Sequence, residues 1–186
     1  YPLLEHLAVL SSVRLVPYHM AYDGAWHVDL PSLARARCPA AKAVFVVSPN
    51  NPTGSFLKKS ELEAIADLGL PIVSDEVFAR YPLIEGDQRV KSALDTERVL
   101  VLALGGLSKL AALPQLKLGW MLLGGPSDAV EEAMARLELI LDSYLSVAAP
   151  VQHALPELFE ASQSTVTAIR GRAREKVAPS SSAPTG

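Results

Sequence analysis

Short apolar runs alternate with amphipathic stretches along the chain, and this alternation predicts strands and helices in turn. Apolar, β-branched runs predict strands at 13–17, 43–47, 71–74, 99–104 and 120–123. Apolar residues at helical spacing predict helices at 3–10, 30–37, 60–68, 126–141, 151–160 and 164–177. Strands that alternate with helices indicate an α/β layer architecture built on a mostly parallel sheet.

Local signals refine three of these elements. Asp29 is a suitable N-cap for the helix at 30–37. Ser60 precedes Glu63 by three residues, which predicts a capping box, and Gly69 fits the position after that helix. The run at 43–47 is apolar at every position, which predicts a central strand buried on both faces.

The composition narrows the classes of protein. The 186 residues are 49% hydrophobic and 20% charged, so a real core can form and disorder of the whole chain is excluded. A net charge of -3 gives no nucleic-acid footprint, and no apolar run approaches the ~20 residues of a membrane span. Cys38 is the single cysteine and the histidines lack metal-ligand spacing, so we expect no disulfide, no metal site and a cytoplasmic location.

Polar residues follow three of the predicted buried strands. Asn51 follows the first, Asp75 the second and Lys109 the third. Ligands of open α/β sheets bind outside the carboxyl ends of the strands. Together these residues therefore predict a ligand site at that edge.

Each of these residues also has a simpler interpretation. The neighbours of Lys109 are apolar, and desolvation would lower the pKa of its amine and make it a nucleophile, but a lone lysine is more often a solvated loop residue. Asp75 could hold a protonated ring nitrogen or cap a turn, and Glu76 beside it is a candidate structural hydrogen-bonding group. Asn51 could donate to a phenolic oxygen or could be an ordinary turn residue.

A phosphate group is a further candidate ligand. The Ser108 hydroxyl and the Lys117 ammonium could hold one together, although Lys117 could equally be a surface lysine. No Walker-type loop is present, and Gly105-Gly106 lacks the remaining glycines of a dinucleotide site.

Taken in order, these segments resemble the fold-type I, class I/II aminotransferases that use pyridoxal phosphate. The resemblance is carried by Asn-Asn-Pro-Thr-Gly at 50–54, Ser-Asp-Glu-Val-Phe at 74–78, Leu-Ser-Lys at 107–109, Gly-Trp at 119–120 and Tyr-Leu-Ser-Val at 144–147. It implies a three-layer α/β/α sandwich with a mostly parallel sheet, the large domain of such an enzyme, truncated at both ends. Pyridoxal 5'-phosphate is the implied cofactor.

The resemblance implies a role for each candidate residue. Lys109 would bind the cofactor covalently and move the substrate proton, and Asp75 would keep the pyridine nitrogen protonated. Asn51 would bond the phenolic oxygen, and Ser108 would bind the phosphate. Lys117 stands where the family has a phosphate-binding arginine. Phe78 stands where the family has a tyrosine that bonds the phenolic oxygen.

The resemblance also sets the expected organisation and partners. We expect a partial large cofactor-binding domain at 1–150, helices leading toward a small domain at 151–178, and a disordered tail at 179–186. The expected substrates are an amino acid and a 2-oxo acid, and the expected assembly is a homodimer. Two alternatives stay open: a pyridoxal-phosphate-dependent lyase of the same fold, and a non-catalytic cofactor-binding or regulatory remnant.

Overall fold

The computed structural model describes residues 2–83, 86 and 88–177, so the predicted tail at 179–186 lies outside the described residues. The strands are β1 (Met20–Tyr22), β2 (Trp26–Val28), β3 (Val44–Val47), β4 (Ile72–Asp75), β5 (Val101–Gly106) and β6 (Gly119–Gly124). The α-helices are α1 (Pro2–Leu10), α2 (Leu30–Ala36), α3 (Lys59–Ala66), α4 (Leu107–Leu110), α5 (Ser127–Asp142), α6 (Ala149–His153) and α7 (Leu155–Val177). Short 3-10 turns lie at Ala93–Asp95 and Pro114–Leu116.

The main sheet has four strands in the order β3-β4-β5-β6. β3, β4 and β5 run parallel, and β6 is antiparallel to β5. Val47, Asp75 and Leu104 lie side by side in register at the carboxyl ends of the parallel strands. The predicted α/β class with a mostly parallel sheet is confirmed.

The principal core lies on one face of this sheet. Inward positions of β3, β4 and β5 pack with the inner faces of α2 and α3; the residues are Val44, Val46, Ile72, Val101, Leu33, Leu62 and Ile65. The alternate strand positions are only half-buried. The prediction of a central strand buried on both faces at 43–47 is therefore wrong: the alternate side chains of β3 are only half-buried, and β3 ends the described sheet, where it pairs with β4. An apolar run indicates burial, but it does not indicate how many neighbours a strand has.

The ends of two helices show how well local signals work. Asp29 caps α2 as predicted, because its Oδ1 accepts the Ser32 N–H at 3.0 Å. Gly69, with φ +67°, follows α3 as expected. The predicted capping box was wrong: α3 begins at Lys59, and the Lys58 N–H donates to Glu61 Oε2 at 2.6 Å. A tertiary contact explains why Glu61 is the residue that caps α3, because its Oε1 also accepts the Val28 N–H at 2.7 Å.

The predicted strand at 13–17 is also wrong. These residues are exposed and irregular, and the Val13 N–H donates to the Ala8 carbonyl at 2.8 Å at the end of α1. The strands form later, as the hairpin β1–β2. Asp23-Gly24 marks its turn, and Gly24 has φ +102°. That dipeptide was the sequence signal for this hairpin.

A second, smaller core joins α4 to the C-terminal helices. Leu107, Ala111 and Leu118 are buried there against Trp120 and Phe159. The Trp120 and Phe159 ring centroids are 5.8 Å apart in an edge contact. α7 runs unbroken through Val177, so the two helices predicted at 151–160 and 164–177 are instead the short α6 and the long α7. None of the helices in the described part of the chain has the length and apolar character needed to cross a membrane.

Candidate active site

The carboxyl ends of β3, β4 and β5 form one edge of the sheet. The Ser48 N–H donates to the Asp75 carbonyl at 2.9 Å, and the Glu76 N–H donates to the Leu104 carbonyl at 3.0 Å. The loop after β3 carries Asn51, β4 ends at Asp75, and α4 follows β5 directly. The topology therefore delivers Asn51, Asp75 and Lys109 to the same edge, as the sequence predicted.

Asp75 presents a partly open carboxylate. The side chain is half-buried, and its Oδ1 accepts the Val77 N–H at 3.2 Å. Its Oδ2 accepts no hydrogen bond from the residues that the structure describes. A carboxylate oxygen at the end of a strand is thus available to a cationic donor, such as a protonated ring nitrogen.

Lys109 lies on α4, in the solvated environment that was one of the two interpretations of its sequence. Its apolar neighbours Leu107 and Ala111 turn inward and are buried, whereas Lys109 itself is exposed. A helix separates neighbouring side chains onto different faces, so an apolar sequence around a lysine does not enclose its amine. Of the two interpretations of its sequence, the described residues agree with an exposed lysine and not with an enclosed amine. Lys109 Nζ lies 6.0 Å from the centroid of the Phe78 ring.

The other candidate residues lie around these two. Asn51 is exposed, in a loop closed by the Asn50 N–H donating to the Ser55 carbonyl at 2.8 Å. Ser108 is half-buried in the first turn of α4. Lys117 is exposed and has a left-handed backbone with φ +43°. No hydrogen bond or ion pair between described residues joins the side chains of the five candidates, so the site is an open arrangement of separate polar groups.

Glu76 has the structural role that the sequence suggested. Its Oε1 accepts hydrogen bonds from Ser74 Oγ at 2.9 Å, Ser92 Oγ at 3.1 Å and the Ala93 N–H at 2.8 Å. These hydrogen bonds join the turn that follows β4 to the segment at 92–93. Glu76 is therefore committed to structure, while the adjacent Asp75 keeps an open oxygen.

Two residues to which the sequence analysis assigned no role contact the helix that carries Lys109. Tyr81 donates its hydroxyl to the Lys109 carbonyl at 2.7 Å, and Arg80 Nη1 donates to the Leu110 carbonyl at 2.8 Å. Burial raises the pKa of Tyr81, and the neighbouring Arg80 charge opposes that rise. No sequence signal pointed to these contacts, because the partners are 28 and 30 positions apart.

The donor types at this edge suit pyridoxal phosphate. The primary amine of Lys109 suits its aldehyde, and the open carboxylate oxygen of Asp75 suits its ring nitrogen. The amide of Asn51 suits its phenolic oxygen. The hydroxyl of Ser108 and the ammonium of Lys117 suit its phosphate.

Comparison with known proteins places the chain in one family. The family model for "Aminotransferase class I and II" matches residues 1–178, so the chain belongs to this family, whose cofactor is pyridoxal phosphate. The chain is 28% identical over 159 residues to the glutamate-pyruvate aminotransferase AlaA of Haemophilus influenzae, covering 83% of this chain and 39% of that protein.

Two further comparisons agree with this placement. The solved alanine aminotransferase from Pyrococcus furiosus superposes with a TM-score of 0.76 at 26% identity, covering 95% of this chain and 45% of that one. The S-alkyl-thiohydroximate lyase SUR1 of Arabidopsis thaliana is 29% identical over 167 residues, covering 86% of this chain and 36% of that protein. The chain thus spans less than half the length of these relatives.

Proposed function

We propose that this chain is the cofactor-binding part of a pyridoxal-phosphate-dependent aminotransferase, which transfers an amino group between an amino acid and a 2-oxo acid. The proposal rests on the positions of one lysine and one aspartate at the same edge of the sheet, in a chain of this family. Lys109 stands on the helix after β5, and the open carboxylate of Asp75 ends the adjacent strand β4.

The proposed chemistry divides between the cofactor and this chain. When bound, pyridoxal phosphate supplies an electron sink for the negative charge that develops at the α-carbon of the amino acid. Lys109 Nζ would bind the cofactor covalently and would be the base that takes the proton from that carbon. Asp75 Oδ2 would accept a hydrogen bond from the protonated ring nitrogen and so keep the proton there. The Asn51 amide would donate to the phenolic oxygen.

One serine and one lysine are the proposed ligands of the cofactor's phosphate group. The Ser108 hydroxyl donates one hydrogen bond, and the Lys117 ammonium adds a point charge. Because a lysine lacks the two-pronged donor geometry of arginine, Lys117 orients a phosphate less strictly than an arginine would. Phe78 has no hydroxyl and cannot bond the phenolic oxygen.

Covalent trapping tests the proposal. The protein is mixed with pyridoxal phosphate, its visible spectrum is recorded, and the mixture is then reduced with borohydride and mapped by peptide mass. We expect preferential labelling of the peptide with Lys109 and a visible absorbance band that is lost in Lys109→Ala. The exposed Lys59 of α3 provides the matched control, and Lys59→Ala should keep the band. A band that survives in Lys109→Ala, or even labelling of all lysines, would overturn the assignment.

A lyase of the same fold is the second candidate, because one relative is named as a lyase. The lysine, aspartate and asparagine would bind the cofactor in the same way for either reaction. Product analysis with a panel of amino acids separates the two. Amino transfer yields a 2-oxo acid and an aminated acceptor, whereas elimination releases ammonia. Labelled Lys109 with neither product would favour the non-catalytic alternative.

We further propose that the protein forms a homodimer and works in the cytoplasm, with 1–150 as the partial large domain and 151–178 leading toward a small domain. Exposed apolar side chains at the end of α5 and just beyond it support an interface; they are Leu139, Ile140, Leu141, Tyr144 and Leu145. Light scattering of the purified chain tests this, with twice the monomer mass of 19.9 kDa as the expected result. A monomer at every concentration would contradict it.

A further inference from the structure

The helix that carries Lys109 is too short to be stable without contacts from other parts of the chain. α4 has only four residues, and the chain leaves it through Ala112, which has a left-handed backbone with φ +54°. A single helical turn is not stable in isolation, since nucleation costs more than one hydrogen bond returns. The buried Leu107 and Ala111 hold its inner face. The outer end, where Lys109 lies, depends on other contacts.

Those contacts come from residues 80 and 81 of one segment, 78–82. The last carbonyls of a helix lack partners within the helix. Here the Lys109 carbonyl accepts the Tyr81 hydroxyl at 2.7 Å, besides the Ala112 N–H at 3.1 Å. The Leu110 carbonyl accepts Arg80 Nη1 at 2.8 Å. Two adjacent side chains thus close the end of α4 from outside it.

The same segment also reaches the Lys109 side chain. The Phe78 ring centroid lies 6.0 Å from Lys109 Nζ, and the Phe78 and Tyr81 rings contact each other edge to face with centroids 6.3 Å apart. The segment is itself held from behind, because Arg174 Nε of α7 donates to the Pro82 carbonyl at 3.1 Å. One packed segment therefore contacts Lys109 at both its carbonyl and its amine.

We propose that Tyr81 is a positioning residue for Lys109: its hydroxyl fixes the Lys109 main chain so that Nζ stays beside the Phe78 ring, at the edge where Asp75 ends β4. This inference rests on the proposed function, because it assigns Tyr81 to the lysine that binds the cofactor. Tyr81 does not touch the reacting atoms in this role. It acts by restricting the orientations of the exposed Lys109 amine, so that more of them are suited to reaction with the cofactor.

Two lysine reagents of different demands test the role. Pyridoxal phosphate followed by borohydride labels Lys109 best when the amine is correctly placed, whereas acetic anhydride labels any accessible amine. Labelling of Lys109 is measured with each reagent relative to Lys59 in the same digest. The variant is Tyr81→Phe, which keeps the ring contact with Phe78. The matched control is Tyr22→Phe, on an exposed tyrosine of β1.

We expect Tyr81→Phe to lower the relative labelling of Lys109 by pyridoxal phosphate roughly two- to tenfold, the equivalent of one hydrogen bond. Labelling by acetic anhydride should stay unchanged, because Lys109 is exposed in either case. Tyr22→Phe should match the parent with both reagents. A purely structural role would leave the ratio between the two reagents unchanged.

The two proposals fail in distinguishable ways. If the parent chain shows no preference of pyridoxal phosphate for Lys109 over Lys59, the proposed function fails and the role of Tyr81 fails with it. If the parent shows the preference and Tyr81→Phe retains it in full, the proposed function stands and the positioning role is overturned. Equal losses with both reagents would also overturn it, since they would report a change in exposure.

Discussion

The Lys109 ammonium lies beside an aromatic ring that carries no hydroxyl, 6.0 Å from the centroid of Phe78. In the family that this sequence resembles, a tyrosine at that position bonds the phenolic oxygen of the cofactor. The exchange leaves the Asn51 amide as the proposed donor to that oxygen. It also retains a ring face that can attract the lysine cation.

Restoring the hydroxyl gives the first prediction. In Phe78→Tyr, a new hydrogen bond to the phenolic oxygen should stabilise its anionic form. The pH at which the visible absorbance of the bound cofactor changes should therefore fall, by about one unit for a bond worth about 1.4 kcal/mol. A spectral titration measures this, and Phe78→Leu serves as the control without a hydroxyl. A midpoint that rises or stays constant in Phe78→Tyr would count against the proposed placement of Phe78.

Gly105, at the end of β5, gives a prediction about stability next to the site. A Cβ at this position would lie 2.5 Å from Trp120 Nε1. The indole cannot move away freely, because it packs against Phe159. Gly105→Ala should destabilise the fold by about 1 to 3 kcal/mol through overpacking.

Urea unfolding followed by circular dichroism measures that loss. The matched control is Gly171→Ala in α7, where the added Cβ meets no atom within 4 Å. Since alanine is the better helix former, this control should be neutral or stabilising by about 0.5 to 1 kcal/mol. Equal stability of the parent and Gly105→Ala would show that Trp120 yields to the new methyl group.

Glu61 gives a prediction about the joint between the hairpin and α3. Its carboxylate accepts two main-chain N–H groups, that of Val28 at 2.7 Å and that of Lys58 at 2.6 Å, while its side chain is buried. Glu61→Ala would leave both donors without their partner and should cost about 2 to 4 kcal/mol. Glu61→Gln keeps one acceptor oxygen and should lose less.

Chemical denaturation of the variants tests this joint, and the exposed Glu63 on the same helix supplies the control Glu63→Ala. That control should change the free energy of unfolding by no more than about 0.5 kcal/mol. If Glu61→Ala and Glu63→Ala were equally stable, Glu61 would not join the two elements energetically.

Tyr18 gives a pH-dependent prediction. Burial, and then the Glu61 carboxylate, raise the pKa of Tyr18 from 10.0 to about 12, and its hydroxyl donates to the Phe45 carbonyl at 3.0 Å. In the unfolded chain Tyr18 loses its proton near its ordinary pKa, whereas in the folded protein it stays protonated. Its contribution to stability is thus complete below pH 10 and is lost as the pH rises toward 12.

The size of this effect follows from the shift of the pKa. Two units correspond to about 3 kcal/mol at most. The free energy of unfolding of the parent should therefore fall more steeply between about pH 10 and pH 12 than that of Tyr18→Phe, in which this titration is absent. Taking the difference between the two proteins removes the contribution of the other tyrosines. Parallel pH profiles would contradict the burial of a protonated Tyr18.

The chain sequence determined the elements whose signals are local. Apolar runs located β3 to β6, helical spacing located α2, α3 and α5, and Asp29 and Gly69 marked helix ends. It also indicated that Asn51, Asp75 and Lys109 share an edge, because parallel strands end on the same side of a sheet. These features depend on residues that are close together in the sequence or on a general rule of topology.

Tertiary structure alone decided the rest. Four features depend on partners that are far apart in the sequence. Two concern α4: the exposure of Lys109 and the contacts from Tyr81 and Arg80. The other two are the use of Glu61 instead of Glu63 as the capping carboxylate and the position of β3 at the end of the described sheet. Such partners meet only after the chain has folded, since burial and hydrogen bonding are properties of the packed arrangement and not of a sequence window.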